Sequence, residues 1–481
     1  MEQEIYKYIN MTWVYWTLWI VYGVTIISVV LVVLSENRNP VKSLAWITVL
    51  LLLPAVGLIL YFLFGRSIKN KRFISRRNRR RLKKHEQAKA FDASASGLSV
   101  ENAQHVRLGQ ALMGAPYYEG NDAEIFENGK DKFDMLFRDL QQAKKFIYLQ
   151  YYIIEDDKIG NQLADLLIEK ARSGVNVKVI YDHLGNIKVK SKYYQRMRDA
   201  GIEVYPFFKV SLRYLGGRIN WRNHRKLCLI DGTVGYIGGM NVADRYIDGG
   251  KYDVWRDLHL RVTGPILRSF NHSFCYDWNF MGRPIPDDFA KVEVKPTGNN
   301  LGMQLITSGP TGQWGNISLM FLKAIGNAKH SIYLQTPYFL PTEGLMRALE
   351  AAALAKIDVR IIMPRNTDSA VLRHASFSYI KDCLRAGIKI YLYEPGMLHG
   401  KVIIIDDEFT TVGSTNFDFR SFEHNFESNL FVYSREFNKK MTEIFKRDME
   451  LSTRVLPYDW DHRPRIDKMK QSVMRLLSPI L

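Results

Sequence analysis

Residues 224–231 read HRKLCLID, and residues 399–406 read HGKVIIID. Each stretch has a histidine, a lysine two positions later and an aspartate five positions after the lysine, and the two copies lie 175 positions apart. The runs KLCLI and KVIII are rich in aliphatic residues and are typical of buried strands. Side chains two positions apart on a strand face the same side, so the histidine and the lysine of each motif are predicted to point together.

The aspartates that end the two motifs, Asp231 and Asp406, occupy a different kind of position. Each lies seven residues after its histidine, an odd offset, so on a straight strand it would face the opposite side. We therefore expect these carboxylates to anchor the strand ends, bonded to nearby backbone or to a cation, and not to pair with the histidine beside them.

Two further pairs of polar residues follow the motifs. Asn241, in GGMN, and Asn416, in GSTN, each come ten residues after the motif aspartate. The glycines allow close backbone approach, and an asparagine amide can donate to an anionic oxygen. Asp257, in WRDLHL, and Glu427, in FESNLF, are carboxylates on predicted apolar strands, suited to holding an imidazole Nδ1–H in one tautomer.

The paired residues lie in two halves of similar sequence. AKKFIYLQYYII (143–154) resembles AKHSIYLQTPYF (328–339), and such blocks alternate helical stretches with short β-branched runs, as in an α/β domain. A repeat length of about 180 residues indicates a duplicated domain, since solenoid units are much shorter. The sequence therefore predicts two α/β domains, each a β-sheet flanked by helices, at 105–295 and 296–481, related by a pseudo-twofold axis.

The paired motifs suit chemistry at a single phosphate. Two lysines and two asparagines that converge supply point charges and amide donors for phosphate oxygens. Of two histidines that flank the phosphorus, one attacks it and the other protonates the leaving oxygen, giving a phosphohistidine that an incoming hydroxyl resolves. The carboxylate and histidine clusters of two-metal phosphodiesterases are not seen in the sequence, so we expect neither a metal nor a cofactor.

The amino-terminal 65 residues predict a membrane anchor of two helices. Residues 12–34 and 43–64 carry no charge, and both exceed the length of about 18 apolar residues that indicates a spanning helix. Pro54 and Gly57 predict a kink in the second. A signal peptide is the alternative for the first segment, but its leading residues are not basic and its apolar run is too long.

The positive charge of the chain is concentrated beside this anchor. The 481 residues contain 67 Lys+Arg and 49 Asp+Glu, a net charge of +18, and residues 66–84 hold eleven basic residues and no acidic one. This bias predicts that the flank, the linker up to residue 104 and both α/β domains are cytoplasmic. The same run can contact anionic lipid headgroups; it lacks the interleaved aromatics of a nucleic-acid site, and no nucleic-acid partner is expected.

Two other segments could meet lipid. The first half has about eleven extra residues within KVSLRYLGGRINWR (209–222), which form either a surface loop or a rim for headgroups. Near the carboxyl end, Met469, Val473, Leu476 and Leu477 share one predicted helical face. That helix either contacts the membrane or packs on its own domain. The three cysteines are scattered, which argues against a disulfide framework or a thiolate zinc site.

The motifs HRKLCLIDGTVGYIGGMN and HGKVIIIDDEFTTVGSTN resemble the paired motifs of the phospholipase D superfamily, over roughly residues 110–450. With the amino-terminal NPVKSLAWITVLLLLPAVGLILYFLFGR and the stretches TPYFLP and NFDFRSFEHNFE, the chain resembles the bacterial cardiolipin synthases. The resemblance implies that two phosphatidylglycerol molecules are converted to cardiolipin and glycerol without a cofactor. Hydrolysis by water, or transfer to another alcohol such as serine, are the alternatives.

The resemblance also implies roles for individual residues. The catalytic set is His224, Lys226, Asp231, His399, Lys401 and Asp406; the phosphate-binding set is Asn241, Asn416 and Ser414; and the histidine-orienting acids are Asp257 and Glu427. Gly239 departs from the pattern where the second motif has Ser414, so the two halves need not contact phosphate equally. His224 is expected to be the nucleophile and His399 the acid, then the base. The implied partners are phosphatidylglycerol and other anionic phospholipids, the bilayer, and a second copy of the chain as a further candidate.

Overall fold

The computed structural model describes residues 2–35, 40–61, 74–85, 97–209, 221–287, 289 and 294–478. The described residues up to Tyr61 belong to one compact unit, and those from residue 74 onward belong to a second. The basic run up to residue 73, most of the linker and residues 210–220 of the predicted rim lie outside the described residues.

The first unit consists of three helices, α1 (Glu2–Ser35), α2 (Pro40–Leu52) and α3 (Pro54–Leu60). Among the described residues, only Thr12–Leu31 forms a helix both long and apolar enough to cross a membrane. The second predicted span is instead broken at Leu53, where φ is −127° and ψ is 75°. The proline that follows cannot donate a backbone hydrogen bond and disfavours helical geometry at the preceding residue, so the expected interruption is confirmed, while a second spanning helix is not shown.

The second unit is built on one sheet to which both halves of the chain contribute. The strands of the first half are β1 (Tyr117–Phe126), β2 (Phe146–Tyr151), β3 (Asn176–Tyr181), β4 (Glu203–Pro206), β5 (Arg222–Asn223), β6 (Leu227–Ile230), β7 (Val234–Gly238), β8 (Val254–Arg256) and β9 (His259–Thr263). Those of the second half are β10 (Leu301–Ser308), β11 (Ser331–Gln335), β12 (Phe339–Leu340), β13 (Asp358–Pro364), β14 (Lys389–Tyr393), β15 (Gly396–Leu398), β16 (Val402–Ile405), β17 (Phe409–Gly413), β18 (Phe417–Asp418), β19 (Asn425–Tyr433) and β20 (Ser452–Arg454).

The order of the strands repeats between the halves. It runs β4-β3-β2-β6-β7-β9-β1 and then β10-β19-β17-β16-β11-β13-β14-β20, with an antiparallel junction between β1 and β10. Read outward from that junction, each half has four antiparallel pairings followed by two parallel ones, and the second half adds a final antiparallel pairing of β14 with β20. The predicted α/β class with two similar domains is confirmed, and the two domains share a continuous sheet.

Helices cover the sheet and bury its apolar faces. In the first half they are α4 (Arg76–His85), α5 (Val100–Met113), α6 (Gly129–Gln142), α7 (Lys158–Arg172), α8 (Ser191–Asp199), α9 (Arg245–Asp248) and α10 (Leu267–Phe280). In the second they are α11 (Asn316–Asn327), α12 (Glu343–Leu354), α13 (Ala370–Phe377), α14 (Ile380–Ala386), α15 (Phe419–Glu423), α16 (Arg435–Glu450), α17 (Pro457–Asp461) and α18 (Arg465–Leu477).

Helix α5 does not follow the predicted domain boundary at residue 105. It starts at Val100, with the Ser99 hydroxyl accepting from the backbone of Asn102 at its amino end. Val106 joins the apolar core of the second half, and His105 bonds to residues of that half on both ring nitrogens. The helix spans the predicted start of the first half, yet it completes the core of the second.

Candidate active site

The two motif histidines lie between strands and not on them. His224 and Lys226 belong to the connection between β5 and β6, and His399 and Lys401 to the connection between β15 and β16. The predicted strands are present after each lysine, but the histidines precede them. This corrects the expectation that each histidine and lysine share one strand.

The short strand before each histidine pairs with the opposite half of the chain. Strand β5 is parallel to β19 of the second half, and β15 is parallel to β8 of the first. The pairing continues into the motifs, since the His224 N–H donates to the Phe426 carbonyl at 2.9 Å and the His399 N–H to the Arg256 carbonyl at 2.6 Å. Both carbonyls belong to the residue just before an acid, so each histidine is placed beside an acid of the other half.

The histidine–acid pairs are therefore crossed. His224 Nδ1 lies 3.0 and 3.1 Å from the two carboxylate oxygens of Glu427, and His399 Nδ1 lies 2.7 Å from Asp257 Oδ2. All four side chains are buried. Because Nδ1–H donates to the carboxylate, the Nε2 lone pair of each neutral imidazole is left for the reaction.

Burial sets the protonation of these groups. It lowers the pKa of both His224 and His399 to about 4, against the opposing attraction of Glu427 and Asp257. Burial also pushes the pKa of Glu427 upward, but the His224 ring, Lys226 and the Ser414 hydroxyl together hold it below its ordinary value. At neutral pH the pair between His224 and Glu427 is thus a neutral imidazole and a carboxylate.

The motif lysines are buried beside the histidines. Lys226 Nζ donates to the His224 carbonyl at 2.6 Å, and Lys401 Nζ donates to the His399 carbonyl. Burial lowers the pKa of Lys226 well below its ordinary value and that of Lys401 to about 8. Each lysine interacts electrostatically with both Glu427 and Asp257, one acid from each half, and Lys226 also interacts with Lys401. The two motifs thus form one site.

The two halves of the site are not equivalent. Lys401 Nζ lies 2.7 Å from His399 Nδ1, the same atom that contacts Asp257, whereas the His224 Nδ1 is shared by the two oxygens of Glu427. A cation next to Nδ1 stabilises the neutral ring and competes for its hydrogen bond, so the tautomer is fixed more firmly at His224 than at His399.

The motif aspartates anchor the strand ends through backbone amides, as their odd offset from the histidines predicted, and this position argues against the direct catalytic role that the resemblance implied. Asp231 accepts the backbone N–H groups of residues 144–146 at 2.7, 2.8 and 2.9 Å, and Asp406 accepts those of residues 329–331. Both have left-handed backbone geometry, with φ of 53° and 51°, which aspartate tolerates better than most residues. They close the turn after β6 and β16, at the strand end opposite the histidine.

The Ser414 hydroxyl, which the resemblance assigns to phosphate binding, is hydrogen-bonded within the protein. This buried hydroxyl donates to the Glu427 carboxylate and accepts from the Ser428 N–H at 3.0 Å. At the corresponding Gly239, an added Cβ would collide with the Asp257 carboxylate. The departure between the motifs therefore changes the support of the two acids, and phosphate binding by Ser414 stays a prediction.

The two asparagines are buried at the site with different partners. Asn241 donates to the Tyr246 hydroxyl at 2.8 Å and accepts from the Ile153 N–H at 3.2 Å. Asn416 shares a hydrogen bond with Asp418. One amide hydrogen of Asn241 thus serves the fold, and the second is available to a ligand.

Sequence reasoning missed two arginines that brace the site, Arg225, which is buried, and Arg256, which is partly buried. Arg225 contacts Asp277 at 2.5 Å and donates to the carbonyl of Glu427 at 3.1 Å. Arg256 contacts Asp448 at 2.9 Å. Each of these two aspartates also accepts from a glutamine of the repeated IYLQ stretches, Gln150 at 2.5 Å and Gln335 at 2.8 Å. The repetition of that glutamine was the available signal.

Aromatic rings line the histidines as well. The Tyr152 ring lies 4.8 Å from the His224 ring in an edge-on arrangement, and the Trp255 ring lies 5.6 Å from the His399 ring. These contacts exclude water from the imidazoles and contribute to the burial that lowers their pKa values.

The sequence matches two family models. The family described as "Cardiolipin synthase, PLD-like domain" matches residues 136–271 and 321–449, more than half of the chain. The family described as "Phospholipase_D-nuclease N-terminal" matches residues 23–66. The first match covers both motifs and both acids.

Similar proteins cover almost the whole chain. It is 39% identical to the major cardiolipin synthase of Bacillus subtilis, over 95% of this chain and 97% of that one. It is 38% identical to the cardiolipin synthase of Oceanobacillus iheyensis, over 94% and 96%. The crystal structure of phosphatidylserine synthase from Haemophilus influenzae superposes with a TM-score of 0.60 at 14% identity, covering 79% of this chain and 100% of that one, and shares the fold.

Proposed function

The chain belongs to the bacterial cardiolipin synthases of the phospholipase D superfamily, and on that premise we propose that it transfers a phosphatidyl group from one phosphatidylglycerol to another. The products are cardiolipin and glycerol. The observation that carries this proposal is the crossed arrangement, in which two buried imidazoles are each held at Nδ1 by a carboxylate of the other half.

In the first step His224 Nε2 attacks the phosphorus of the first phosphatidylglycerol. A P–N bond forms, the P–O bond to the glycerol headgroup breaks, and the glycerol oxygen takes its proton from His399 Nε2. Glu427 stabilises the positive charge that develops on the His224 ring. We assign the attack to His224 because both oxygens of Glu427 fix its tautomer and leave Nε2 unprotonated.

His399 must gain a proton before it can donate one. Its pKa of about 4 leaves it neutral at pH 7 in the free site. A bound phosphodiester anion favours the charged imidazolium, so substrate binding and protonation of His399 are coupled. Asp257 at 2.7 Å then carries the opposite charge.

In the second step the glycerol hydroxyl of another phosphatidylglycerol attacks the phosphohistidine. His399, now neutral, accepts the hydroxyl proton; a P–O bond forms and the P–N bond to His224 breaks. Lys226 and Lys401 lie where they can bind the non-bridging phosphate oxygens throughout, with the second amide hydrogen of Asn241 as a further donor.

The product distribution from pure full-length protein in phosphatidylglycerol vesicles tests this function. Cardiolipin and free glycerol in equal amounts are expected. Phosphatidic acid as the main product would show a hydrolase, and a change of product on adding serine would show a different acceptor. Replacing either His224 or His399 by alanine is expected to abolish turnover, and label from 32P-phosphatidylglycerol should be trapped on His224 alone.

The finer membrane topology is also a proposal. The apolar span at Thr12–Leu31 is consistent with a membrane anchor, and we place the broken helices α2 and α3 in the same bilayer as its second arm. The basic run at 66–84 then keeps the catalytic unit in the cytoplasm. Impermeant thiol labelling of single cysteines introduced at Lys130 and Glu436, with label reaching both only after lysis, is the expected result.

A further inference from the structure

Helix α18 presents an apolar face that the described residues do not cover. Met469 is 58% exposed, Val473 is 51% exposed and Leu476 is 80% exposed. Ile466 and Leu477 extend the same face, and at about 100° per residue the five side chains fall within an arc of about 100°. A contiguous row of large apolar side chains on a surface indicates an interaction site.

The other face of the helix fixes it to the catalytic unit. Gln471 is buried, and Met474 packs against the core cluster that includes Ala375 of α13. Arg475 donates to Asp382 at 2.8 Å, and its guanidinium lies 4.4 Å from the Tyr379 ring centre. The helix therefore packs on its own domain, as one alternative predicted, yet it does so with a different face and leaves the apolar row outside.

Basic side chains border the apolar row. Arg465 and Lys470 are exposed at the two edges of the row, and Lys468 lies further round the helix. Asp467 is the only acidic residue of the helix. An apolar face with a basic border is the pattern of helices that lie in the headgroup region of anionic membranes. A second copy of the chain would bring the same positive charges against this border.

The helix is joined to the active site through α13. The residue just before that helix's cap is Asp368, which accepts from Tyr338 and interacts electrostatically with His399 and Lys401. Helix α13 has eight residues, so it is about 12 Å long. A membrane surface that binds α18 therefore lies one short helix, α13, away from Asp368 and the His399 side of the active site.

We propose that the exposed face of α18 inserts into the headgroup region of an anionic bilayer and seats the active site there. This contact acts in addition to the amino-terminal anchor. It rests on the proposed function only in that the substrate lies in the same bilayer. The contact itself is a binding event that does not require turnover.

Site-specific fluorescence tests the contact on the full-length protein. Cys228, Cys275 and Cys383 are buried, so an environment-sensitive probe can be attached selectively to Leu476→Cys or Ser472→Cys. Ser472 is exposed at the polar edge of the same helix, about 90° from the centre of the apolar row, and is the matched control. In phosphatidylglycerol vesicles with brominated acyl chains, strong quenching is expected at Leu476→Cys and weak quenching at Ser472→Cys.

Three outcomes would overturn the proposal. The first is absence of quenching at Leu476→Cys, and the second is equal quenching at both sites. The third is a change in the quenching at Leu476→Cys on dilution of the protein within the vesicles, which would indicate that a second copy contacts this face. The measurement is repeated with the inactive His224→Ala background. Persistence of quenching there separates the contact from the chemistry, so a failed product assay leaves this result standing.

A second variant measures the consequence for turnover. Met469→Gln with Leu476→Gln places two polar amides on exposed positions that make no core contact, so folding is expected to be unchanged. The apparent KM for phosphatidylglycerol in vesicles should rise by roughly tenfold, with kcat retained. An unchanged KM would contradict the proposal.

Discussion

The crossed pairing makes a prediction that direct pairing within each half does not. Glu427→Gln keeps the size of the side chain but removes the charge that faces His224 Nδ1 at 3.0 and 3.1 Å. Its amide can donate to Nδ1 and so favour the tautomer in which Nε2 carries the proton and cannot attack. The variant should therefore block formation of the phosphohistidine on the residue that lies 203 positions earlier in the chain.

The size of the effect follows from the burial of the pair. Glu427 and His224 are both buried, and losing one partner of a buried charged pair costs about 3–5 kcal/mol. The positive charge on His224 develops only as the P–N bond forms, so this loss falls on the transition state. The rate of phosphohistidine formation should drop by roughly 10² to 10⁴-fold with little change in KM.

A donor with a good leaving group isolates the step. Phosphatidyl-p-nitrophenol releases p-nitrophenolate without needing a proton, so the first step no longer depends on His399. In rapid-quench assays Asp257→Asn should then give a burst of one equivalent followed by slow turnover, because its lesion lies at His399. Glu427→Gln should give no burst. A burst from Glu427→Gln and none from Asp257→Asn would refute the assignment of Glu427 to the nucleophilic histidine.

Four other substitutions have defined outcomes. Asp231→Ala removes the acceptor of three backbone amides. It should lower the free energy of unfolding by about 2–4 kcal/mol in denaturant titrations, while the folded fraction keeps its kcat. A folded but inactive variant would contradict this. Lys132 is buried without a hydrogen-bond partner among the described residues, and burial lowers its pKa to about 7. Between pH 7 and 10 the lysine is therefore protonated in the unfolded chain but largely neutral in the native protein. The native protein gains stability as pH rises through that window. Lys132→Met should be more stable than wild type at pH 7, and the difference should shrink towards pH 10; a constant difference would contradict the titration. In Gly239→Ser the new side chain meets Asp257, so both the free energy of unfolding and kcat should fall. Ser414→Gly loses the hydrogen bond to Glu427 and should reduce kcat by roughly tenfold. Equal losses of stability and of kcat in the two variants would refute this account.

The repeated sequence predicted the parts of the fold that depend on local pattern. The apolar runs after Lys226 and Lys401 are strands β6 and β16, and the interruption at Pro54 is present. The resemblance to the cardiolipin synthases is confirmed by relatives that cover almost the whole chain. These features are encoded in short windows of residue type, so each half could be interpreted by itself.

The crossed pairs could not be predicted in the same way. They depend on β5 and β15, which have two and three residues and no recognisable periodicity. Their partners β19 and β8 lie in the other half of the chain, more than 140 positions away. Likewise, nothing in the sequence near Ser414 indicates that its hydroxyl is taken by Glu427, since that bond follows from the register of β17 against β19.

This placement gives a physical reason for the duplication. In either half alone, the histidine would have no carboxylate at Nδ1, because the acid carried by that half projects to the other histidine. A half could therefore hold a phosphate with its lysine, but it could not fix the tautomer of its own nucleophile. The antiparallel junction of β1 and β10 holds the halves in one sheet, and so keeps each acid in register with the histidine it serves.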